Sequence, residues 1–241
     1  MILLRSLIFQ LFFIINTIII ASLGTLFCIF IPNKHRFVID TTWSNLNLWG
    51  LRAICNLNYR IEGLENIPTQ NCIVLSKHQS TWETIALITI IPHPKVWVLK
   101  RELLYVPIFG WVMYFFKPIA IDRKSGRRAV KQVIDQGIQR LKSGLSVIIF
   151  PEGTRVTPGV KKRYGIGGAL LAEKSKYPIL PIAHNAGVFW KRRGFIKYPG
   201  TIDVRIGTII KADGISASDI NKAVEQWIET TMDSLPVNHT S

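Results

Sequence analysis

Apolar strands alternating with amphipathic helices predict an α/β fold: a mixed, mostly parallel sheet covered by helices on both faces, preceded by an N-terminal membrane-associated helical hairpin. Three observations carry this expectation. Short, strongly apolar runs such as 72–76 and 145–150 recur between helical stretches. Residues 127–142 place Val130, Val133, Ile134, Ile138 and Leu141 on one face of a helix. Residues 7–31 carry no charge at all.

The uncharged run is long enough to cross a bilayer core. A signal peptide competes, but the run exceeds a usual signal core and no small-x-small cleavage site follows. Arg5 flanks it on one side and Lys34 and Arg36 on the other. That bias places the chain beyond it on the cytoplasmic side of the inner membrane. Residues 37–57 are amphipathic, with Ile39, Trp43, Leu46, Gly50, Ala53 and Leu57 spaced by three or four. They are expected as an interfacial helix closing the hairpin, the alternative being a helix packed on the domain. The organisation is thus an anchor over 1–57 and an α/β domain over 58–241.

Within that domain, 59–62 and 72–76 read as strands and 80–91 as a helix. Residues 95–99 form a strand, 107–116 an apolar helical segment, and 119–121 a strand. After the 127–142 helix, Gly144 precedes a buried strand at 145–150. A helix at 167–175, strands at 179–183 and 204–210, and a closing helix at 216–235 complete the order. Ile220, Val224, Trp227 and Ile228 form the inner face of that last helix.

The chain of 241 residues carries 30 Lys and Arg against 15 Asp and Glu, a formal charge of +15. Its partners are therefore expected to be acidic. A hydrophobic content of 48% argues against nucleic acid and for an anionic membrane surface. Cys28, Cys55 and Cys72 show neither a metal spacing nor a disulfide framework, which suits a reducing compartment.

Two segments carry chemistry. The first runs from His78 to Glu83. Neutral imidazole can take a proton from an alcohol, and a carboxylate on its other nitrogen fixes the tautomer. Five residues along a helix turn through about 140°, so the two meet only if His78 precedes the helix and Glu83 lies in its first turn. Ser80 and Glu83 also form a capping-box pattern, so Glu83 has a purely structural role open to it. The second segment is Phe150-Pro-Glu-Gly-Thr-Arg155. Gly153 permits close backbone approach to a phosphate, Thr154 offers a hydroxyl and Arg155 a bidentate fork. The bland alternative is a tight turn with a Glu152–Arg155 ion pair. Asp122-Arg123 reads equally as an anion clamp or a salt bridge. Lys161-Lys162-Arg163 and Lys191-Arg192-Arg193 read as solvated loops or as lipid-attracting clusters.

Together these segments resemble the glycerolipid acyltransferase family, in particular its bacterial lysophosphatidate acyltransferases. His78 to Glu83 fits the family's histidine–four residues–acid motif, Ile121-Asp122-Arg123 the end of its second, and Phe150 to Arg155 its third. Ile179-Leu180-Pro181-Ile182 is similar to its fourth. Lys117 stands where the second motif often has glycine, and Glu83 where the first more often has Asp.

The resemblance implies transfer of a fatty acyl chain from a thioester to the 2-hydroxyl of lysophosphatidate, giving phosphatidate. His78 would be the base, oriented by Glu83. Arg123, Gly153, Thr154 and Arg155 would hold the acceptor phosphate, with Glu152 supporting the turn or the acceptor. Pro181 would belong to the acyl-donor site. The donor would be acyl-CoA or acyl carrier protein as co-substrate, with no bound cofactor or metal. Two alternatives stand beside this: the same chemistry on another lysolipid, and a non-catalytic basic protein docked on anionic membrane.

Overall fold

The computed structural model describes residues 1–30, 36–107 and 109–237. Its centre is a seven-stranded sheet in the order β1-β7-β6-β2-β5-β3-β4. The strands are β1 (Leu57–Glu62), β2 (Ile73–Ser76), β3 (Lys95–Lys100), β4 (Ile119–Ile121), β5 (Ser146–Ile149), β6 (Ile179–His184) and β7 (Gly200–Ile206). All neighbours run parallel except β6 and β7. The central strands are apolar on both faces: every residue of β2, β5 and β6 is buried. That is what a parallel sheet with both faces covered demands.

One face is covered by α5 (Arg127–Lys142), α6 (Gly167–Ser175) and α8 (Ala217–Ser234). Val133 and Leu141 of α5 and Ile220, Val224 and Ile228 of α8 enter that core. Trp227 lies partly buried against it. A Cβ on Gly207 would come within 2.5 Å of the Trp227 ring, so a glycine there lets the indole sit flat on the chain leaving β7. The other face is covered by α2 (Phe37–Cys55) and α3 (Trp82–Ile90), with Leu48, Leu51, Trp82 and Ile85 in its core.

The remaining helices are α1 (Ile2–Phe30), α4 (Phe109–Phe116) and the short α7 (Ala186–Phe189). Periodicity did not foretell α7, because four residues are too few to show a period. β7 begins at Gly200 rather than 204, because its register with β1 pairs Leu57 with Gly200. Past Ile206 the strand ends, and Ile210 bridges back to the sheet at Ile179.

Of the expected membrane hairpin, the apolar first helix is present. Among the described residues one helix, α1, is long and apolar enough to cross a membrane, with mean hydropathy 2.2. The buried residues of α2 are Ser44, Asn47, Leu48, Gly50, Leu51 and Cys55, so Gly50 faces inward as expected, whereas Leu46 and Ala53 face outward. The Ser44 hydroxyl sits 2.7 Å from both Ile85 O and Thr89 Oγ1, so α2 is fastened to α3 by polar contacts that lipid does not offer. α1 lies against α2, where the Trp43 indole donates to Thr17 Oγ1 at 3.0 Å. Phe9 docks α1 onto the domain, fully buried and edge-on to Trp190 at 5.8 Å. Burying such a ring contributes about 2–3 kcal/mol.

Candidate active site

Because β6, β2, β5, β3 and β4 run parallel, their carboxyl ends lie along one edge of the sheet. His78 follows β2, Phe150 follows β5, Asp122 follows β4, and His184 ends β6. Ligand crevices of open parallel sheets form at this edge.

His78 sits in the turn ahead of α3, and Glu83 is in its first turn. His78 Nδ1 and Glu83 Oε1 are 2.8 Å apart. The same oxygen accepts the backbone N–H groups of Gln79 at 2.8 Å and Ser80 at 2.7 Å. Ser80 Oγ in turn accepts from Trp82 N at 3.2 Å. Capping and pairing therefore coexist on one carboxylate oxygen. Glu83 is wholly buried. Burial alone would raise its carboxyl, but His184, His78 and the Ser80 amide outweigh it and hold the group below its ordinary value. The ionised carboxylate accepts the Nδ1 proton, which leaves Nε2 as the lone-pair nitrogen of a neutral imidazole. The ring stacks on Phe150 with centroids 3.9 Å apart and planes 9° from parallel.

His184 stands behind this pair. Its Nε2 donates to Lys77 O at 2.8 Å, its Nδ1 accepts from Ala186 N at 3.3 Å, and Nε2 lies 4.0 Å from Glu83 Oε2. Burial pushes its proton affinity down, although Glu83 opposes the shift, and the two hydrogen bonds fit a neutral ring protonated on Nε2. Sequence reasoning missed His184. The available signal was an ionisable residue at the end of a predicted strand.

The second segment divides between the two faces of the sheet. Glu152 is buried and pairs with Lys77 Nζ at 3.1 Å, not with Arg155. Lys77 also reaches Glu229 Oε1 of α8 at 2.7 Å, and Tyr164 donates to that oxygen at 2.7 Å. Strand alternation explains the split: consecutive residues Lys77 and His78 point to opposite faces. Desolvation pushes the Glu152 carboxyl up to about 7, even with Lys77 opposing it.

Gly153 adopts φ +68°, the left-handed conformation that glycine takes without strain. Arg155 is half-buried, and Val156 immediately after it donates to the His78 carbonyl at 2.7 Å. Burial lowers the Arg155 proton affinity, Glu83 raises it and Arg192 lowers it further. The phosphate-suited end of the turn is thereby tied to the histidine. Thr154, between Gly153 and Arg155 in sequence, is half-buried. Asp122 caps its own turn by accepting from Lys124 N at 2.9 Å, and the Arg123 side chain lies outside the described residues. Pro181 is not at this edge. It is buried inside β6 opposite Leu75, and its carbonyl accepts from Gly207 N at 2.9 Å. The buried thiols of Cys55 and Cys72 are pushed up to about 11 and about 12 by desolvation, far from a reactive thiolate.

Fold and site together define a class: parallel α/β proteins that hold a carboxylate-oriented histidine beside a glycine–arginine turn. The chain belongs to the acyltransferase family, whose model, described as Acyltransferase, matches residues 58–185. It is 46% identical over 202 residues to the 1-acyl-sn-glycerol-3-phosphate acyltransferase of Pseudomonas aeruginosa, covering 83% of this chain and 78% of that protein. It is 29% identical over 155 residues to the human 1-acyl-sn-glycerol-3-phosphate acyltransferase beta, covering 64% of this chain and 56% of that one. In three dimensions it is similar to the 1-acyl-sn-glycerophosphate acyltransferase PlsC of Thermotoga maritima, with a TM-score of 0.82 and 20% identity over 100% of this chain and 98% of that one.

Proposed function

We propose that this chain transfers an acyl group from a thioester to the 2-hydroxyl of lysophosphatidate, forming phosphatidate. The observation that carries the reading is the His78–Glu83 pair at 2.8 Å, set one residue from the Arg155 backbone through the His78–Val156 hydrogen bond. The names of the relatives supply the acceptor.

His78 Nε2 takes the hydroxyl proton as the oxygen attacks the thioester carbonyl. The carbon–sulfur bond then breaks, and the imidazolium returns the proton to the departing thiolate. Glu83 keeps the ring in the correct tautomer and stabilises its charged form. Arg123, Gly153, Thr154 and Arg155 hold the acceptor phosphate, so that the hydroxyl meets the base already oriented. Glu152 supports the turn from beneath through Lys77. Transfer is direct, with acyl-CoA or acyl carrier protein as donor. α1 and the +15 charge hold the enzyme on an anionic membrane, the inner membrane, with the α/β domain in the cytoplasm.

The test is acyl transfer to lysophosphatidate by purified protein in detergent, with each donor, beside a folded His78→Ala variant. Phosphatidate from the wild type and none from the variant is expected. A folded wild type making no phosphatidate with either donor overturns the acceptor. Equal activity in both proteins overturns the role of His78.

A further inference from the structure

Arg192 lies in a basic cluster that the proposed reaction does not use. It is nonetheless built into the edge of the site. Its Nη1 donates to the Arg155 carbonyl at 3.0 Å. The loop carrying it is closed by Gly194 N donating to Lys191 O at 2.8 Å, and it is fastened to the core by the buried Trp190 indole donating to Gly194 O at 3.1 Å. A continuous set of contacts therefore runs from Arg192 to the Arg155 backbone, through Val156, to the His78 carbonyl.

The charges make the arrangement informative. Among the described residues, neither the Arg155 nor the Arg192 guanidinium makes an ion pair with a carboxylate within 4.0 Å. Arg192 depresses the proton affinity of Arg155, and the carboxylate that opposes it, the buried Glu83, is already engaged by His78. Like charges placed side by side repel, and an anion with two charges relieves the repulsion from both. Guanidinium has five N–H donors in a planar fork. One edge of Arg192 occupied by the Arg155 carbonyl leaves the other free for a bidentate contact with phosphate oxygens.

We propose that Arg192 is a further arginine of the acceptor-phosphate clamp, beside Arg155, and that it favours a doubly charged phosphomonoester over a singly charged phosphodiester headgroup. This rests on the function proposed above and names the residue that makes it selective. A lysolipid whose phosphate carries a further headgroup has one charge fewer for these guanidinium groups and must fit the added group against the Lys191–Gly194 loop.

The test compares lysophosphatidate with lysophosphatidylglycerol as acceptors in mixed micelles, for wild type, Arg192→Ala, Arg192→Lys and Lys191→Ala. Arg192→Ala is expected to raise KM for lysophosphatidate about tenfold with kcat within about twofold, the loss of one charge-assisted contact. The preference for monoester over diester falls by about the same factor. Arg192→Lys recovers part of it, since it restores charge without the fork, and Lys191→Ala changes neither parameter. Unchanged KM and preference in Arg192→Ala overturn the proposal, and so does an equal rise in Lys191→Ala, which would mark a general surface-charge effect. A wild type that makes no phosphatidate overturns the proposed function instead. Calorimetric binding in detergent then decides Arg192 by itself. Lysophosphatidate binding tighter than monoacylglycerol, with the margin reduced about tenfold in Arg192→Ala, supports the clamp; a margin unchanged in Arg192→Ala sinks it.

Discussion

Glu83 Oε1 receives three donors at once: His78 Nδ1 at 2.8 Å, Gln79 N at 2.8 Å and Ser80 N at 2.7 Å. One carboxylate oxygen starts α3 and orients the imidazole, so the helix end and the base share a single buried anchor. Glu83→Gln keeps an acceptor of the same shape but removes the charge that favours imidazolium. It is expected to fold and to lose about a hundredfold in kcat, while His78→Ala loses at least as much. Steady-state rates, with circular dichroism to establish folding, check both.

Glu152 makes stability depend on pH. Its carboxyl is raised from 4.5 to about 7, principally by burial. Between these values the folded chain holds a proton that the unfolded chain has released. Its contribution is therefore fully present below the unfolded value and lost as pH rises through the folded one. The wild-type melting temperature should fall from pH 5 to pH 7.5 relative to that of Glu152→Gln. Parallel melting curves for the two proteins would contradict this.

His184 is expected to matter for stability as well as rate. Replacing it with Ala removes one of the two donors to the buried Lys77 carbonyl, the Ser76 hydroxyl at 3.1 Å being the other, at a cost of about 1 kcal/mol. The empty space behind Glu83 Oε2 also loosens the base pair. Denaturant unfolding measures the first effect. A fall in kcat at unchanged KM measures the second.

Phe9 holds α1 to the domain with Trp190, beside the buried Lys197, whose Nζ meets Gln10 Oε1 at 2.8 Å. Phe9→Ala should cost about 3–5 kcal/mol at that contact and free α1 from the domain. Limited proteolysis should then cut between α1 and the α/β domain in the variant, well before any cut in the wild type.

The legible part of the site followed from local spacing. The His78–Glu83 interval, Gly153 and Arg155 announce themselves within a few residues, because turn geometry and side-chain reach are short-range properties. Glu152 did not. Its neighbour in sequence is Gly153, but its neighbour in space is Lys77, across two adjacent strands. Arg192 and His184 reach the site only because β6 lies beside β2, a pairing between segments about a hundred residues apart. The seat of α2 against α3 was hidden for the same reason. The α2 periodicity announces an amphipathic helix, whereas the burial of Ser44 and Asn47 depends on α3.

The sequence by itself determined the element order, the apolar strands that must be covered on both faces, the long uncharged run of the first helix, and the two reactive segments. Each is dictated by hydrophobic periodicity or by the conformational limits of a few adjacent residues. Only the tertiary structure decided which strands became neighbours and which face each ionisable group took. It turned Glu152 toward Lys77, placed Pro181 in the core, and brought Arg192 to the Arg155 carbonyl. Those outcomes depend on long-range packing, in which a side chain's partner is set by the sheet order rather than by its neighbours along the chain.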